Sequence, residues 1–108
     1  MTRDEWMSEK RFPDVVAMSS PRTEGEPLIN ISYGCLVPEK LEGLLAAGRC
    51  ISVETPVHSC VRLIPPCLAT GQAAGTAAAM AAAQGLSPRE IDRSELQASL
   101  LEQNVRLE

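Results

Sequence analysis

Residues 70–85, TGQAAGTAAAMAAAQG, carry the strongest structural signal in this 108-residue sequence. The run 73–84 holds eight alanines, and alanine has the highest intrinsic helix propensity, so the sequence predicts a helix there. Thr70 is predicted to be its N-cap, and Gly85 is predicted to follow its last turn. Small side chains on every side would let another backbone or a planar group approach this helix closely.

The predicted start of the helix is also a candidate ligand site. A helix N-terminus leaves backbone N–H groups unpaired and carries partial positive charge. Gly71, Gln72, Ala73 and Ala74 would present those donors almost unshielded to an anionic or electron-rich ligand. Close packing of a helix on a sheet also selects glycine and alanine, and it is the favoured explanation of this motif taken alone.

Three stretches upstream predict strands. Residues 28–32 alternate apolar and polar side chains, as a strand with one buried face does, and residues 11–17 contain a second short strand. Leu44 to Ala47 is an uninterrupted apolar run that ends at Gly48. Four residues are compatible with a helix as well, but the glycine at the end favours a central strand buried on both faces, with that glycine at a ligand crevice.

The remaining segments are predicted from local signals. Residues 2–10 form a short helix or a frayed end, and a loop that contains Pro56, Pro65 and Pro66 follows residues 50–53. Ser87 to Glu90 reads as a capping box with proline at the first helical position. A second start signal at residues 92–95 leads into a helix that ends at Gln103, with Leu96, Leu100 and Leu101 on one face.

Composition excludes several classes of function. The formal net charge is −4 and the ten basic residues are scattered, so nucleic-acid binding is not expected. The N-terminus lacks an apolar core of signal-peptide length, and the low-charge stretch 63–86 is too weakly hydrophobic for a membrane span. We therefore expect a soluble, cytoplasmic protein.

The four cysteines, at positions 35, 50, 60 and 67, contain no CxxC pair, and His58 is the only histidine. Free thiols are the favoured interpretation, and no metal site is expected. Two disulfides or a cysteine-rich zinc site of unusual spacing are the alternatives.

Several motifs occur in a fixed order with short spacers. They are RFPD at 11–14, ISYGCLVP at 31–38, LLAAGRC at 44–50, VRL at 61–63, GQAAGTAAAM at 71–80 and GLSPRE at 85–90. Together they resemble the C-terminal part of the FAD-dependent oxidoreductase family, whose nucleotide fold is like that of glutathione reductase. The sequence departs from the family on the presumed substrate side, where residues 53–57 read VETPV instead of ATHEA, so no substrate can be assigned.

This resemblance implies an α/β fragment, with a few short strands, the alanine-rich helix and C-terminal helices, that completes the FAD-binding domain of a larger protein. Residues 1–27 would be an irregular segment of the substrate-side region, and residues 28–108 the C-terminal part of the FAD-binding domain. Leu44 to Gly48 would be a late strand of its sheet. Hydride would pass between a small-molecule substrate and flavin N5.

The resemblance also implies the site residues. Gly48 and Arg49 would lie beside FAD, and the helix start at residues 71–74 would stabilise the negative charge of the reduced flavin. His58 and Arg62 are the candidate catalytic residues, although a structural role explains either of them as well.

No GxGxxG motif follows a predicted strand, so the chain is expected to need an N-terminal FAD-binding region or subunit and to be inactive alone. A rival hypothesis is a stand-alone alanine-rich helical interaction module without catalysis. A degenerate remnant without function is the third.

Overall fold

A computed structural model describes residues 1–21 and 23–107; the last residue of the predicted 28–108 region lies outside them. The elements in this part of the chain are listed in order. They are α1 (Arg3–Met7), β1 (Val15–Ser19), β2 (Ile29–Ser32), α2 (Thr55–Val61), α3 (Ile64–Gln84) and α4 (Arg93–Glu102), with 3-10 turns at Tyr33–Cys35, Gly48–Cys50 and Pro88–Glu90. The predicted class, an α/β fragment with few strands and a dominant alanine-rich helix, is confirmed.

The two strands pair antiparallel, with Ala17 opposite Ile31 and Ser19 opposite Ile29. Ile29 and Ile31 are completely buried, as the alternation at 28–32 predicts, whereas Leu28 precedes the strand and is 39% exposed. The strand predicted within 11–17 is also present, and it runs on to Ser19.

Helix α3 packs on β1 and borders α4. Its buried residues are spaced three or four apart and line one face: Pro66, Thr70, Ala73, Ala77 and Ala81. Because alanine is small, this face brings the helix close to the sheet, while the larger core side chains come from elsewhere. Five of these side chains are at most 1% exposed: Tyr33, Leu36, Ile91, Leu96 and Leu100. The helix therefore contributes small side chains to the core, and residues outside it contribute most of the buried apolar area.

The strand predicted at residues 44–48 is wrong. Ala46 donates a hydrogen bond to the Leu36 carbonyl (2.8 Å), and Ala47 has extended dihedral angles, yet the segment joins no ladder. Leu44 is 50% exposed. A strand buried on both faces needs strands on either side, and the sheet formed by the described residues contains only β1 and β2.

The predicted start of the long helix is wrong by several residues. The N-cap of α3 is Leu63, so Thr70 and the GQAAG motif lie well inside the helix. Pro65 and Pro66 occupy the first turn, where a missing N–H costs nothing and the fixed φ favours helix. Pro56 has the same role in α2, so most of the predicted proline-rich loop is helical.

The predicted end of α3 is confirmed. Gly85 follows the last turn with φ +67° and ψ +27°, and its N–H bonds back to the Ala81 and Ala82 carbonyls. A residue with a Cβ is sterically strained in this left-handed conformation, whereas glycine is not.

The helix predicted from residues 92–95 is also confirmed. Asp92 caps α4 by accepting a hydrogen bond from the Ser94 N–H, and Leu96 and Leu100 are buried. Leu101, in contrast, is 56% exposed.

The capping box predicted at Ser87 is wrong. Ser87 makes no side-chain cap bond, and residues 88–90 form a 3-10 turn in which the Glu90 N–H bonds to the Ser87 carbonyl. At the N-terminus, residues 3–7 form a helix rather than a frayed end, closed by a true capping box between Thr2 and Glu5.

Candidate functional site

The turn at Gly48–Cys50 is fixed against α3 by a buried threonine. The Gly48 N–H donates to Thr70 Oγ1 at 2.9 Å, and Thr70 itself has no exposed surface. Gly48 has φ +69°, and a Cβ at its position would lie 3.6 Å from Cys67 Sγ. The conformation therefore calls for glycine, whereas the distance to Cys67 is that of an ordinary van der Waals contact.

His58 adjoins the same turn. It lies on α2 and its Nε2 is 3.0 Å from the Arg49 carbonyl oxygen. Because a carbonyl oxygen only accepts, Nε2 carries the hydrogen and donates, which leaves Nδ1 as the acceptor of the neutral ring. The structure thus brings together three predicted residues, Gly48, Arg49 and His58.

Arg49 and Arg62 each place a guanidinium on the surface, and neither forms an ion pair or side-chain hydrogen bond with other described residues. Arg62 follows the last turn of α2, and its carbonyl accepts a weak hydrogen bond from Cys67 Sγ at 3.4 Å. Cys67 therefore packs between the end of α2 and Gly48. The two arginines are the cations this region offers to an anionic ligand.

Residues 71–74 do not form a helix N-terminus, which overturns the physical reason for choosing them. Inside an α-helix each N–H is bonded to the carbonyl four residues earlier, so these amides are not open donors. Gly71 is exposed, Ala73 is fully buried and Ala74 is half-buried. Gln72 is exposed, and its Nε2 donates to Gln103 Oε1 at 2.8 Å. The four residues thus point in different directions around the helix.

What remains open around the motif is one smooth face of α3. Ile64, Leu68, Gly71 and Gly75 recur at helical spacing, and we call them the open face. Ile64 is 76% and Leu68 70% exposed, and nothing lies within 4 Å of a Cβ built on either glycine. A flat group could therefore rest directly against the helix backbone here.

Thr70 and Cys67 are the residues that sequence reasoning missed in this role. Thr70 was assigned as an N-cap, yet its Oγ1 donates back to the Pro66 carbonyl at 3.0 Å while it accepts from Gly48. The one hydroxyl in the apolar stretch between Ile64 and Gly71 was the available signal. Its partner could not be inferred, because Gly48 lies 22 residues away in sequence.

A family model described as FAD dependent oxidoreductase matches residues 1–100. The chain belongs to the FAD dependent oxidoreductase family. Searches of curated proteins and of solved structures find no match. Membership of this family confirms the resemblance read from the sequence motifs, and it implies that the complete domain binds FAD.

The Gly48–Cys50 turn adjoins the open face of α3. The hydrogen bond from Gly48 to Thr70 places the turn directly beside the residue that precedes Gly71. An exposed guanidinium at Arg49, a glycine turn and a bare helix backbone are suited to an anionic, planar group. The glycine-rich loop that cradles a pyrophosphate has no counterpart in the sequence.

No three potential ligands among histidine, cysteine and acidic residues come together in residues 1–21 and 23–107. All four thiols are free: Cys35 and Cys60 are buried, Cys67 is partly buried and Cys50 is exposed. Within the same residues, no helix combines the length and hydropathy that crossing a bilayer requires.

Proposed function

We propose that this chain forms the flavin-contacting C-terminal part of an FAD-dependent oxidoreductase. The Gly48–Cys50 turn and the open face of α3 would lie beside the cofactor. The observation that carries the proposal is the 2.9 Å hydrogen bond from the Gly48 N–H to Thr70 Oγ1. It joins two motifs of a family that uses FAD and leaves an exposed glycine, Gly71, next to the junction.

The helix contributes differently from what the sequence motif implied. The dipole of α3 begins at Ile64, and Pro65 and Pro66 remove two of the N–H donors that a first turn normally offers. We therefore propose that α3 acts by letting the cofactor lie close to its backbone, and not by donating hydrogen bonds from its first-turn amides. We propose that Gly71 and Gln72 contact the cofactor, and that Ala73 and Ala74 set the distance between the helix and the rest of the chain.

FAD would supply the capacity to accept a hydride equivalent from a small-molecule substrate. Toward that reaction, the Arg62 guanidinium would hold an anionic substrate group, and His58 Nδ1, left open by the bond from Nε2 to Arg49, would accept a proton. Arg49 would neutralise negative charge on the cofactor. The exposure of the two arginines and the hydrogen bond of His58 support these roles.

The remaining parts of the proposal concern the whole protein. Residues 1–27 would belong to the substrate-side region and residues 28–108 to the FAD-binding domain. An N-terminal FAD-binding region or a separate subunit would provide the pyrophosphate loop, and the assembly would be cytoplasmic. On this basis the chain is not expected to act as an enzyme by itself.

The experiment compares flavin retention by the chain alone and by the chain joined to a GxGxxG nucleotide-binding region of a family member. We expect visible flavin absorbance only in the joined protein. Gly71→Leu would cover the open face, and we expect it to lower the flavin-to-protein ratio at least tenfold or so. Ala83→Leu, an exposed change near the end of the same helix, is the matched control and should retain flavin.

Two results would overturn this. Stoichiometric FAD in the chain alone would remove the need for a second region. Full flavin retention by Gly71→Leu in the joined protein would remove the open face from the cofactor site.

A second candidate, a stand-alone helical interaction module, is favoured by the same exposed apolar residues, Ile64 and Leu68. Circular dichroism and size measurement separate the two. A stable, colourless, helical oligomer that still fails to take up flavin when joined to the nucleotide-binding region would support the interaction module.

A further inference from the structure

A cleft of about 750 Å³ lies away from the proposed flavin site, between the N-terminal segment, α4 and the C-terminal residues. It is lined by Arg11, Phe12, Pro13, Val15, Gln97, Leu101, Arg106 and Leu107. Its volume is within the range of small-molecule sites, and neither the turn at Gly48–Cys50 nor the open face contributes to it.

The lining is cationic and apolar. Although the chain has 14 acidic and 10 basic residues, the described residues that line the cleft include two arginines and no carboxylate. Arg106 is already engaged within the protein, so the charge argument rests on Arg11. One Arg11 N–H donates to the Leu107 carbonyl at 3.2 Å, and Arg11 forms no ion pair with the described residues.

Arg11 therefore keeps donors for a ligand. A guanidinium has five N–H groups in a planar fork that matches a carboxylate, and the bond to Leu107 holds that fork at the edge of the cleft. Phe12 is half-buried and Leu101 is 56% exposed, so an apolar surface lies beside the charge. The nearby cation Lys10 is paired with Glu5 at 3.0 Å, and its Nζ lies 5.0 Å from the centroid of the Phe12 ring, so the ligand would pack on the part of Phe12 that Lys10 leaves open.

The walls of the cleft are held together before any ligand binds. Gln97 on α4 donates from Nε2 to the Pro13 carbonyl at 3.0 Å and to the Val15 carbonyl at 2.9 Å. These two bonds tie the N-terminal segment to α4 across the floor of the cleft. A preformed site loses less freedom on binding than one that must assemble.

We propose that this cleft binds a small carboxylate with an aromatic or branched aliphatic body. The carboxylate pairs with the Arg11 guanidinium, and the apolar body packs on Phe12 and Leu101. The site is separate from the proposed flavin contacts, so it stands whether or not that proposal holds.

The test is a titration of the isotope-labelled chain with 2-naphthoate and, in parallel, with its neutral amide, followed by amide chemical shifts. We expect naphthoate to shift residues around 11–15 and 97–107 and to bind about tenfold or more tightly than the amide. Arg11→Gln should remove that preference. Arg3→Gln, an exposed arginine outside the cleft, is the matched control and should leave it unchanged.

A second variant tests the cleft in case Arg11→Gln does not fold. Leu101→Ser changes an exposed side chain, and it should weaken both ligands by a similar factor. Raised salt should weaken naphthoate more than the amide in the unaltered chain. Equal affinities for the two ligands, unaltered binding by a folded Arg11→Gln variant, or shifts confined to other parts of the chain would each overturn the proposal.

Discussion

At the scale of single residues, Thr70 joins two segments that local sequence signals treat separately. Its hydroxyl accepts from the Gly48 N–H and donates to the Pro66 carbonyl, while its methyl group is packed in the core. A partly buried N–H that loses its acceptor costs more free energy than the hydrogen bond itself contributes. Thr70 is therefore expected to hold the Gly48–Cys50 turn in place.

Thr70→Val tests this role because it keeps the shape and removes the acceptor. We expect the free energy of unfolding to fall by about 1 to 2 kcal/mol, measured by urea denaturation. Thr76→Val, on the same helix but half-buried, removes a hydrogen bond that is exposed to water, from Gln103 Nε2 at 3.3 Å, and should change it by less than about 0.5 kcal/mol. Equal effects of the two substitutions would show that Gly48 does not depend on Thr70.

Tyr33 is the residue for which the structure predicts a pH dependence. Its ring is fully buried and its hydroxyl donates to the Pro88 carbonyl at 2.7 Å. Burial raises the pKa of Tyr33 above its ordinary value, and the nearby Arg93 guanidinium acts in the opposite direction. The folded state therefore holds the phenol proton more tightly than the unfolded state.

It follows that the contribution of Tyr33 to stability is complete below about pH 10 and is lost as the pH rises toward the raised folded pKa. Tyr33→Phe cannot titrate. We expect the difference in unfolding free energy between wild type and Tyr33→Phe to be constant from about pH 7 to pH 9 and to shrink above about pH 10. A difference that stays constant through about pH 11 would contradict the assigned shift.

At the scale of elements, α3 shows where local signals suffice and where they fail. Its end was predictable, because Gly85 adopts a left-handed conformation that other residues pay to adopt. Its start was not, because Pro65 and Pro66 signal a loop as readily as a first helical turn. Burial of Pro66 and Thr70 on one face decides for the helix.

Replacing two glycines of this region by alanine should change the free energy of unfolding in opposite directions. Gly85→Ala forces a Cβ into the left-handed conformation, and we expect it to lower the unfolding free energy by about 1 to 2 kcal/mol. Gly75→Ala lies within the helix with open space around it, and we expect it to raise that free energy by about 0.8 to 1 kcal/mol. Thermal or urea denaturation measures both, and the same sign for the two would refute the observed helix boundary.

The segment at 44–48 shows why a local apolar run did not predict a strand correctly. An apolar run predicts burial, but burial on both faces of a sheet requires neighbouring strands that the run itself does not specify. Leu44 is instead half exposed, and the Ala46 N–H donates a hydrogen bond to the Leu36 carbonyl. In contrast, the alternation at 28–32 predicted β2, which begins one residue later at Ile29, because one buried face is a property of the strand alone.

At the scale of the whole molecule, the core unites distant parts of the chain, from Trp6 near one end to Leu107 near the other. The cysteines report on this core because their exposure differs. Cys50 is exposed and Cys67 half-buried, whereas Cys35 and Cys60 are 7% and 2% exposed.

We expect a maleimide to label Cys50 of the native chain first, and Cys35 and Cys60 at least about tenfold more slowly. In denaturant all four should react at similar rates, which is the internal control. Mass spectrometry of digested samples assigns each site. Similar rates for Cys35 and Cys50 in the native chain would mean that the core does not form as described.

The amino-acid sequence alone determined whatever rests on neighbouring residues: the alanine helix and its terminal glycine, the Asp92 cap of α4 and the buried face of β2. Its ordered motifs also indicated the family, which the family model over residues 1–100 confirms. Only the tertiary structure decided where α3 begins, that Thr70 binds Gly48, and that His58 bonds to Arg49. Those features depend on contacts between residues far apart in the chain, and such contacts exist only after the elements have packed.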